Sequence, residues 1–148
     1  MRLWRLTRAE HVALDGAGAR QHGGRYSPPG FAVVPFASEP GLAVLVTLRY
    51  QPDPDAEYVL GWTEIDAVPE RAPQGDTRAW VTTWLEERRS LLAATPSAVL
   101  PEADVVLMNA EHPDAAGVPP LVTRPFSFAE CLHTPPMLER FSAAKTPR

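Results

Sequence analysis

The residue that points most directly to chemistry is Arg25, in the run Gly23-Gly24-Arg25-Tyr26. A guanidinium forms two parallel charge-assisted hydrogen bonds with paired anionic oxygens, and glycines let the backbone come close to a ligand. The ring of Tyr26 can lie against a flat ligand group. This run predicts a site for a phosphate or pyrophosphate, as in a nucleotide. The alternative is a turn followed by a solvated or salt-bridged arginine.

The other reactive residue types indicate less. Ser97 lacks the Gly-x-Ser-x-Gly elbow of a hydrolase nucleophile, which leaves it as a hydroxyl that hydrogen-bonds a ligand. Cys131 is the only cysteine, and with nothing upstream to orient it we expect a buried, inert thiol. The histidines show no metal-ligand spacing, and the sequence therefore predicts no metal; they are His11, His22, His112 and His133.

Composition limits the classes of function. The 148 residues fit one domain, and a net charge of -4 argues against binding nucleic acid through a basic surface. A P-loop is absent, and Gly16-Ala17-Gly18 lacks the third glycine of a dinucleotide fingerprint. One cysteine, no signal-peptide core and no membrane-length apolar run predict a cytoplasmic protein that does not associate with a membrane.

The elements that must position these residues are short and mixed in type. No regular βαβ alternation is visible, so the α+β class is predicted, with residues 11–24 as a glycine-rich loop. Strands are predicted at residues 2–6, 31–37, 58–65, 97–100, 104–108 and 121–128, and helices at residues 39–49 and from residue 76 to before Pro96.

Three of these elements carry more specific expectations. Residues 39–49 are apolar on nearly all sides, which predicts a helix buried in the core, with a strand as the alternative because of the valines. Pro35 predicts that its strand ends at a sheet edge or a bulge, because proline lacks the N–H of a central strand. Residues 133–148 are spaced by prolines and only weakly apolar, which predicts a flexible tail.

The ordered set of short motifs resembles the RES domain family over residues 1–132. The motifs that carry the resemblance are Met1-Arg2-Leu3-Trp4-Arg5-Leu6, Gly16-Ala17-Gly18-Ala19-Arg20, Gly24-Arg25-Tyr26, Val33-Val34, Leu42-Ala43-Val44-Leu45, Pro96-Ser97-Ala98-Val99, Leu107-Met108-Asn109 and His112-Pro113-Asp114. Each motif is weak alone, and the order of the set is fairly specific.

The resemblance implies a fold, an activity and a partner. It implies a single domain like the ADP-ribosyltransferases of the diphtheria-toxin kind, with small central β-sheets and flanking helices. It also implies the toxin of a toxin–antitoxin pair, bound by a Xre-type helix-turn-helix antitoxin, with homo-oligomers as a further option. The implied substrate is NAD+, cleaved at the nicotinamide–ribose bond by hydrolysis, phosphorolysis or ADP-ribosyl transfer, without another cofactor.

The family's arginine, glutamate and serine fall, by position, at Arg25, Val46 and Ser97. A further family tyrosine, near the nicotinamide end, falls at Pro35. The glutamate and the tyrosine are therefore missing, and the nearest acidic residue, Glu39, lies almost two helical turns from Val46. A carboxylate stabilises the positive charge that develops on the ribose during cleavage, which a valine cannot do.

The resemblance still supports ligand binding. Arg5, Arg20 and Arg25 suit a pyrophosphate, with Tyr26 and Ser97 as further substrate-binding residues. Three interpretations follow from the sequence: an NAD+-cleaving toxin, a catalytically impaired member that binds NAD+, an antitoxin or both, and a globular domain whose arginines are solvated.

Overall fold

The β-structure is one mixed sheet. In this computed structural model, which describes residues 1–50 and 52–133, the sheet has seven strands: β1 (Arg2–Arg8), β2 (Val33–Ala37), β3 (Tyr58–Glu64), β4 (Glu70–Arg71), β5 (Leu92–Pro96), β6 (Asp104–Asn109) and β7 (Val122–Phe126). Their order across the sheet is β4-β5-β6-β2-β1-β3-β7. Neighbouring strands are antiparallel except for β4 with β5.

Helices of six to eleven residues flank this sheet: α1 (Ala17–His22), α2 (Pro40–Arg49) and α3 (Thr77–Glu87). The predicted α+β class is confirmed. Apolar side chains of the two central strands β2 and β6 alternate between the core clusters on the two faces of the sheet, as the twofold period of a strand requires. Val34 and Val106 lie in one cluster, and Val33 and Leu107 in the other.

The sheet opens between two of its central strands. β1 pairs with β3 along its whole length, from Arg2 opposite Glu64 to Arg8 opposite Tyr58. Its pairing with β2 is limited to one register position, Trp4 opposite Ala37. Pro35 lies in the middle of β2 and pairs with β6 only. The expectation of an edge or a bulge is therefore wrong, because β2 is an internal strand of the sheet. At Pro35, however, β2 pairs with β6 and not with β1.

The helix after β2 is confirmed, but it is not buried on all sides. Pro40 occupies the first turn, where its missing N–H needs no partner. Leu42 and Ala43 are buried, whereas Leu45 is 41% exposed. The prediction of a core helix was wrong because α2 lies on the surface of the sheet, and only one of its faces meets the core.

The second predicted helix ends earlier than expected. The Asp76 carboxylate accepts a hydrogen bond of 3.0 Å from the Ala79 amide and caps α3. The helix stops at Glu87, and Leu92 begins β5 instead of extending the helix. The prediction of a strand at residues 97–100 was also wrong. Because the helix ends early, the strand comes earlier, at Leu92–Pro96, and Ser97 follows it in a turn.

Residues 11–24 are not all loop, since they include α1. Gly16, before this helix, has a φ of 66°, and a Cβ there would lie 2.6 Å from the backbone of Ala32 and Val33. A close approach of this kind requires glycine and packs α1 against the start of β2.

Cys131 is exposed, not buried as expected, because it lies in the short helical turn Ala129–His133 at the surface. Residues 134–148 of the predicted tail lie outside the described residues. Among the residues that the structure covers, no helix is long and apolar enough to cross a membrane.

Candidate functional site

Four positions that are far apart in the sequence line one cavity of about 260 Å³: Arg25, Pro35, Val46 and Ser97. These are the positions at which the family arginine, tyrosine, glutamate and serine were expected. Arg25 comes from the loop after α1, Pro35 from β2, Val46 from α2, and Ser97 from the turn after β5. These elements meet over the face of the sheet formed by β2 and β6, whose residues Val33 and Leu107 also line the cavity.

The rest of the cavity wall is largely apolar. Side chains of β2 and β6 and the turn after β5 form this part of the wall: Val33, Val99, Val105 and Leu107. Polar groups come from Arg25, Ser97, Ser27, Tyr26 and Tyr50. An apolar wall with a few converging polar groups suits a small organic ligand that carries an anionic group.

Arg25 is held from two sides. Its Nη1 donates a hydrogen bond of 2.5 Å to the hydroxyl of Tyr50, at the end of α2. The Arg78 side chain, on α3, donates to the carbonyl oxygens of Gly24 and Arg25, each at 2.9 Å. The guanidinium also lies 5.8 Å from the centre of the Tyr26 ring. The Arg25 loop is thus fixed by α3 and its side chain by α2.

Tyr26 remains a neutral phenol in this setting. Burial raises the pKa of its hydroxyl, the nearby charge of Arg25 lowers it, and Tyr50 raises it again, with a net shift above the ordinary value. The phenol therefore serves as a hydrogen-bond donor or as an aromatic wall of the cavity, and not as a base at neutral pH.

No carboxylate lines this cavity among the described residues. Val46 and Pro35 occupy the two positions where the resemblance places a glutamate and a tyrosine, and both are apolar. Glu39, considered as a substitute, precedes the first turn of α2, is exposed, and does not line the cavity. The cavity therefore offers positive charge and neutral hydrogen-bonding groups, which favours an anionic ligand.

Ser97 is 2% exposed and lines the cavity. Its Oγ accepts a hydrogen bond of 3.2 Å from the Val99 amide, which fixes the turn after β5. Because the hydroxyl acts as an acceptor here, its own proton is left to donate to a ligand.

Arg5 lies on β1, in the gap beside β2. Its Nη1 donates to the Pro35 carbonyl oxygen at 2.9 Å, while its Nε is buried and has no hydrogen-bond partner within residues 1–50 and 52–133. Burial lowers the pKa of this guanidinium, which Asp15 partly offsets. Arg5 does not line the main cavity, but it lines two adjacent grooves that share Pro35 with it. The structure therefore places Arg5 beside the cavity.

Arg20 is not brought to the cavity. Its guanidinium is exposed and forms an ion pair with Glu111, whereas Ala19, its neighbour on α1, lines the wall. A role for Arg20 in ligand binding remains a prediction.

Two residues of the site were missed in the sequence. Tyr50 lies four positions after Val46, the spacing at which helical side chains share a face, and this spacing was the available signal. Arg78 acts through backbone carbonyls of a loop more than fifty residues away, and no sequence pattern reveals such a contact.

The fold matches that of a known toxin structure. The crystal structure of the M. tuberculosis MbcT–MbcA toxin–antitoxin complex contains a chain that superposes with a TM-score of 0.65 and 18% identity, over 85% of this chain and 84% of that one. At this identity the similarity establishes the shared fold, a single α+β domain built on a mixed sheet.

The sequence comparisons define the family. The RES domain pattern matches residues 2–129, and the chain belongs to the RES domain family. It is 33% identical to a Prs ADP-ribosylating toxin of Sphingobium sp. over 125 residues, 71% of this chain and 77% of the relative. It is 30% identical to Toxin Res of Yersinia enterocolitica over 130 residues, 76% of this chain and 86% of that protein.

Proposed function

We propose that this protein is the toxin of a toxin–antitoxin pair and that its cavity binds NAD+ and acts at the nicotinamide–ribose bond. The observation that carries the proposal is the meeting of Arg25, Pro35, Val46 and Ser97 in one cavity. The resemblance selected all four positions, and the residue types had independently indicated Arg25 and Ser97 as ligand-binding groups. The names of the relatives, which are toxins and in one case an ADP-ribosylating toxin, support the same conclusion.

Each polar group has a role that suits its position. Arg25 binds the pyrophosphate through paired charge-assisted hydrogen bonds. Ser97 donates a hydrogen bond to the ribose or carboxamide, and Tyr26 lies against a flat ring of the ligand. Arg5, in the adjacent groove, adds positive charge behind Pro35. We place this activity in the cytoplasm.

The chemistry at the ribose is a substitution at one carbon. The bond between C1′ and the nicotinamide nitrogen breaks, and its electron pair leaves with the ring as neutral nicotinamide. The positive charge passes to the ribose as an oxocarbenium ion. Water, phosphate or a protein nucleophile then adds at C1′, and a proton is released when water or a protonated side chain is the nucleophile. Hydrolysis, phosphorolysis and ADP-ribosyl transfer differ only in this nucleophile.

The absence of a carboxylate among the described lining residues sets the expected rate. Removing one preorganised group that stabilises transition-state charge lowers a rate by roughly 10²–10³, or about 2.7–4 kcal/mol. Turnover is therefore expected to be slow relative to a form of this chain with a carboxylate at position 46.

A second candidate function is binding without turnover, and the apolar residues Val46 and Pro35 favour it specifically. In that case the cavity holds NAD+ as a ligand and the protein acts through its partner. For both candidates we propose a protein antitoxin as the partner, with a Xre-type helix-turn-helix protein as the expected class.

The deciding experiment is NAD+ content in bacteria after induced expression of this chain. Arg25→Ala and Val46→Glu variants are expressed beside it, with Arg2→Ala as a control, because Arg2 is an exposed arginine that pairs with Glu64 away from the cavity. NAD+ loss with the parent and with Arg2→Ala, but not with Arg25→Ala, supports cleavage by the natural chain.

Loss of NAD+ with Val46→Glu alone supports binding without turnover. Titration of the purified chains with NAD+ completes the test. If the parent neither depletes nor binds NAD+, the proposed function is wrong.

A further inference from the structure

We infer that Tyr50 is a ligand-positioning residue: its hydroxyl aligns the guanidinium of Arg25 for an anionic group of the ligand. The inference rests on the proposed function for the identity of the ligand, NAD+. It adds a residue that neither the motifs nor the family positions contain.

The geometry of the pair carries the inference. Tyr50 directly follows the last residue of α2, one helical turn after Val46, and both residues line the cavity. Its hydroxyl accepts a hydrogen bond from Nη1 of Arg25. The phenol and the guanidinium thus meet at the cavity wall although they come from different elements, the end of α2 and the loop after α1.

A neutral acceptor suits this role better than a carboxylate. In the part of the chain that the structure covers, no carboxylate lies within ion-pair distance of Arg25. A carboxylate would neutralise the guanidinium and compete with the ligand. A phenol fixes the orientation of the guanidinium, occupies one of its five N–H groups, and leaves its charge and paired donors for an anion.

The exposure of Tyr50 is consistent with a role outside the core. Tyr50 is 56% exposed, so core packing does not account for an aromatic residue at this position. The phenol of Tyr26 lies close enough to interact electrostatically with Tyr50 and with Arg25. Two phenols therefore lie near the guanidinium, and Tyr50 is the one that forms a hydrogen bond with it.

The test is binding of two probes, NAD+ and inorganic pyrophosphate, to the purified full chain by calorimetric titration. Pyrophosphate is used because it presents the anionic oxygens without the nucleosides. The variants are Tyr50→Phe, which removes the hydroxyl and keeps the ring, and Tyr58→Phe as the matched control. The Tyr58 hydroxyl bonds to the Asp53 amide and lies away from the cavity.

We expect Tyr50→Phe to weaken the binding of both probes by the same factor, about fivefold, which is the effect of one lost hydrogen bond. The melting temperature should remain within the range of Tyr58→Phe, whose probe binding should match that of the parent. Unchanged binding in Tyr50→Phe would overturn the inference and leave the proposed function in place. Weaker NAD+ binding with unchanged pyrophosphate binding would also overturn it, because the phenol would then act on another part of the ligand.

The outcomes separate the two proposals. If the parent binds pyrophosphate but not NAD+, and Tyr50→Phe weakens pyrophosphate binding, the proposed function fails while the positioning role stands. If the parent binds neither probe, both fail.

Discussion

The guanidinium of Arg5 donates a hydrogen bond to the Pro35 carbonyl oxygen in the gap where β1 and β2 no longer pair. Among the described residues its Nε is buried without a hydrogen-bond partner, and burial lowers the pKa of the group, which the charge of Asp15 only partly offsets. Burying a charge that no ion pair compensates disfavours folding. A partly buried charge that borders the cavity is more consistent with ligand binding than with a structural role.

Replacing this guanidinium should therefore stabilise the protein. We expect Arg5→Met to raise the free energy of unfolding by about 1 kcal/mol, because the apolar side chain has no charge to desolvate and water can replace the hydrogen bond lost by the exposed Pro35. NAD+ binding should weaken in the same variant. Urea denaturation and calorimetric titration measure the two effects. Arg2→Met is the control on the same strand, where the exposed pair with Glu64 is lost. A marked loss of stability in Arg5→Met alone would contradict this account.

The approach of α1 to β2 should depend on one glycine and not on its neighbour. Gly16→Ala places a Cβ 2.6 Å from the backbone of Ala32 and Val33 at a positive φ, and should lower the free energy of unfolding by roughly 2–4 kcal/mol. A Cβ at Gly18, inside α1, meets nothing within 4 Å, so Gly18→Ala should raise stability by roughly 0.5 kcal/mol. Thermal denaturation of both variants checks the contrast, and equal effects would refute it.

The two polar side chains predicted at the ligand, Arg25 and Ser97, should contribute unequally to the affinity for NAD+. Arg25→Ala removes charge-assisted hydrogen bonds and should weaken NAD+ binding by roughly 10–100-fold, whereas Ser97→Ala removes one neutral bond and should weaken it by roughly 5–10-fold. Ser97→Ala should also lower stability by about 1 kcal/mol, because the Val99 amide loses its acceptor. Titration and thermal denaturation give both values. A larger binding loss for Ser97→Ala than for Arg25→Ala would reverse the assigned roles.

Much of the fold was predictable because its elements carry local signals. β6 is a continuous apolar run, and α2 begins at a proline; both were found close to their observed bounds. The start of β5 was missed because Leu92 continues the apolar spacing of the helix before it. The helix ends at Glu87 instead, and the next residue, Arg88, has a φ of 51°, a left-handed conformation that an arginine does not signal in a sequence.

The site was predictable only in part, for a related reason. The convergence of Arg25 and Ser97 followed from a resemblance, and the structure brings both to one cavity. The contacts that orient Arg25 come from Tyr50 and Arg78, and neither is adjacent in sequence to the group it holds. The resemblance also placed Arg20 at the ligand; in the structure its guanidinium pairs with Glu111, and its role in binding stays a prediction. A sequence motif does not determine the face of a helix on which a charge lies.

The phenol of Tyr26 should make stability depend on pH in the alkaline range. Burial raises its pKa above the ordinary value of 10.0, so the folded state keeps the proton at a pH where the unfolded chain has lost it. Stability from this group is therefore fully present below pH 10.0 and is lost as the pH rises through the folded-state pKa.

Tyr26→Phe has no proton to lose, so its melting temperature should fall less than that of the parent as the pH rises above 10.0. Thermal denaturation from pH 8 to pH 11 measures the difference, over about three units that bracket the titration of tyrosine. Tyr58→Phe is the control, because it removes a phenol outside the cavity and keeps Tyr26. Its melting temperature should change with pH as that of the parent does. Parallel curves for the parent and Tyr26→Phe would contradict the net rise in the pKa of Tyr26 and would mean that the charge of Arg25 cancels the effect of burial.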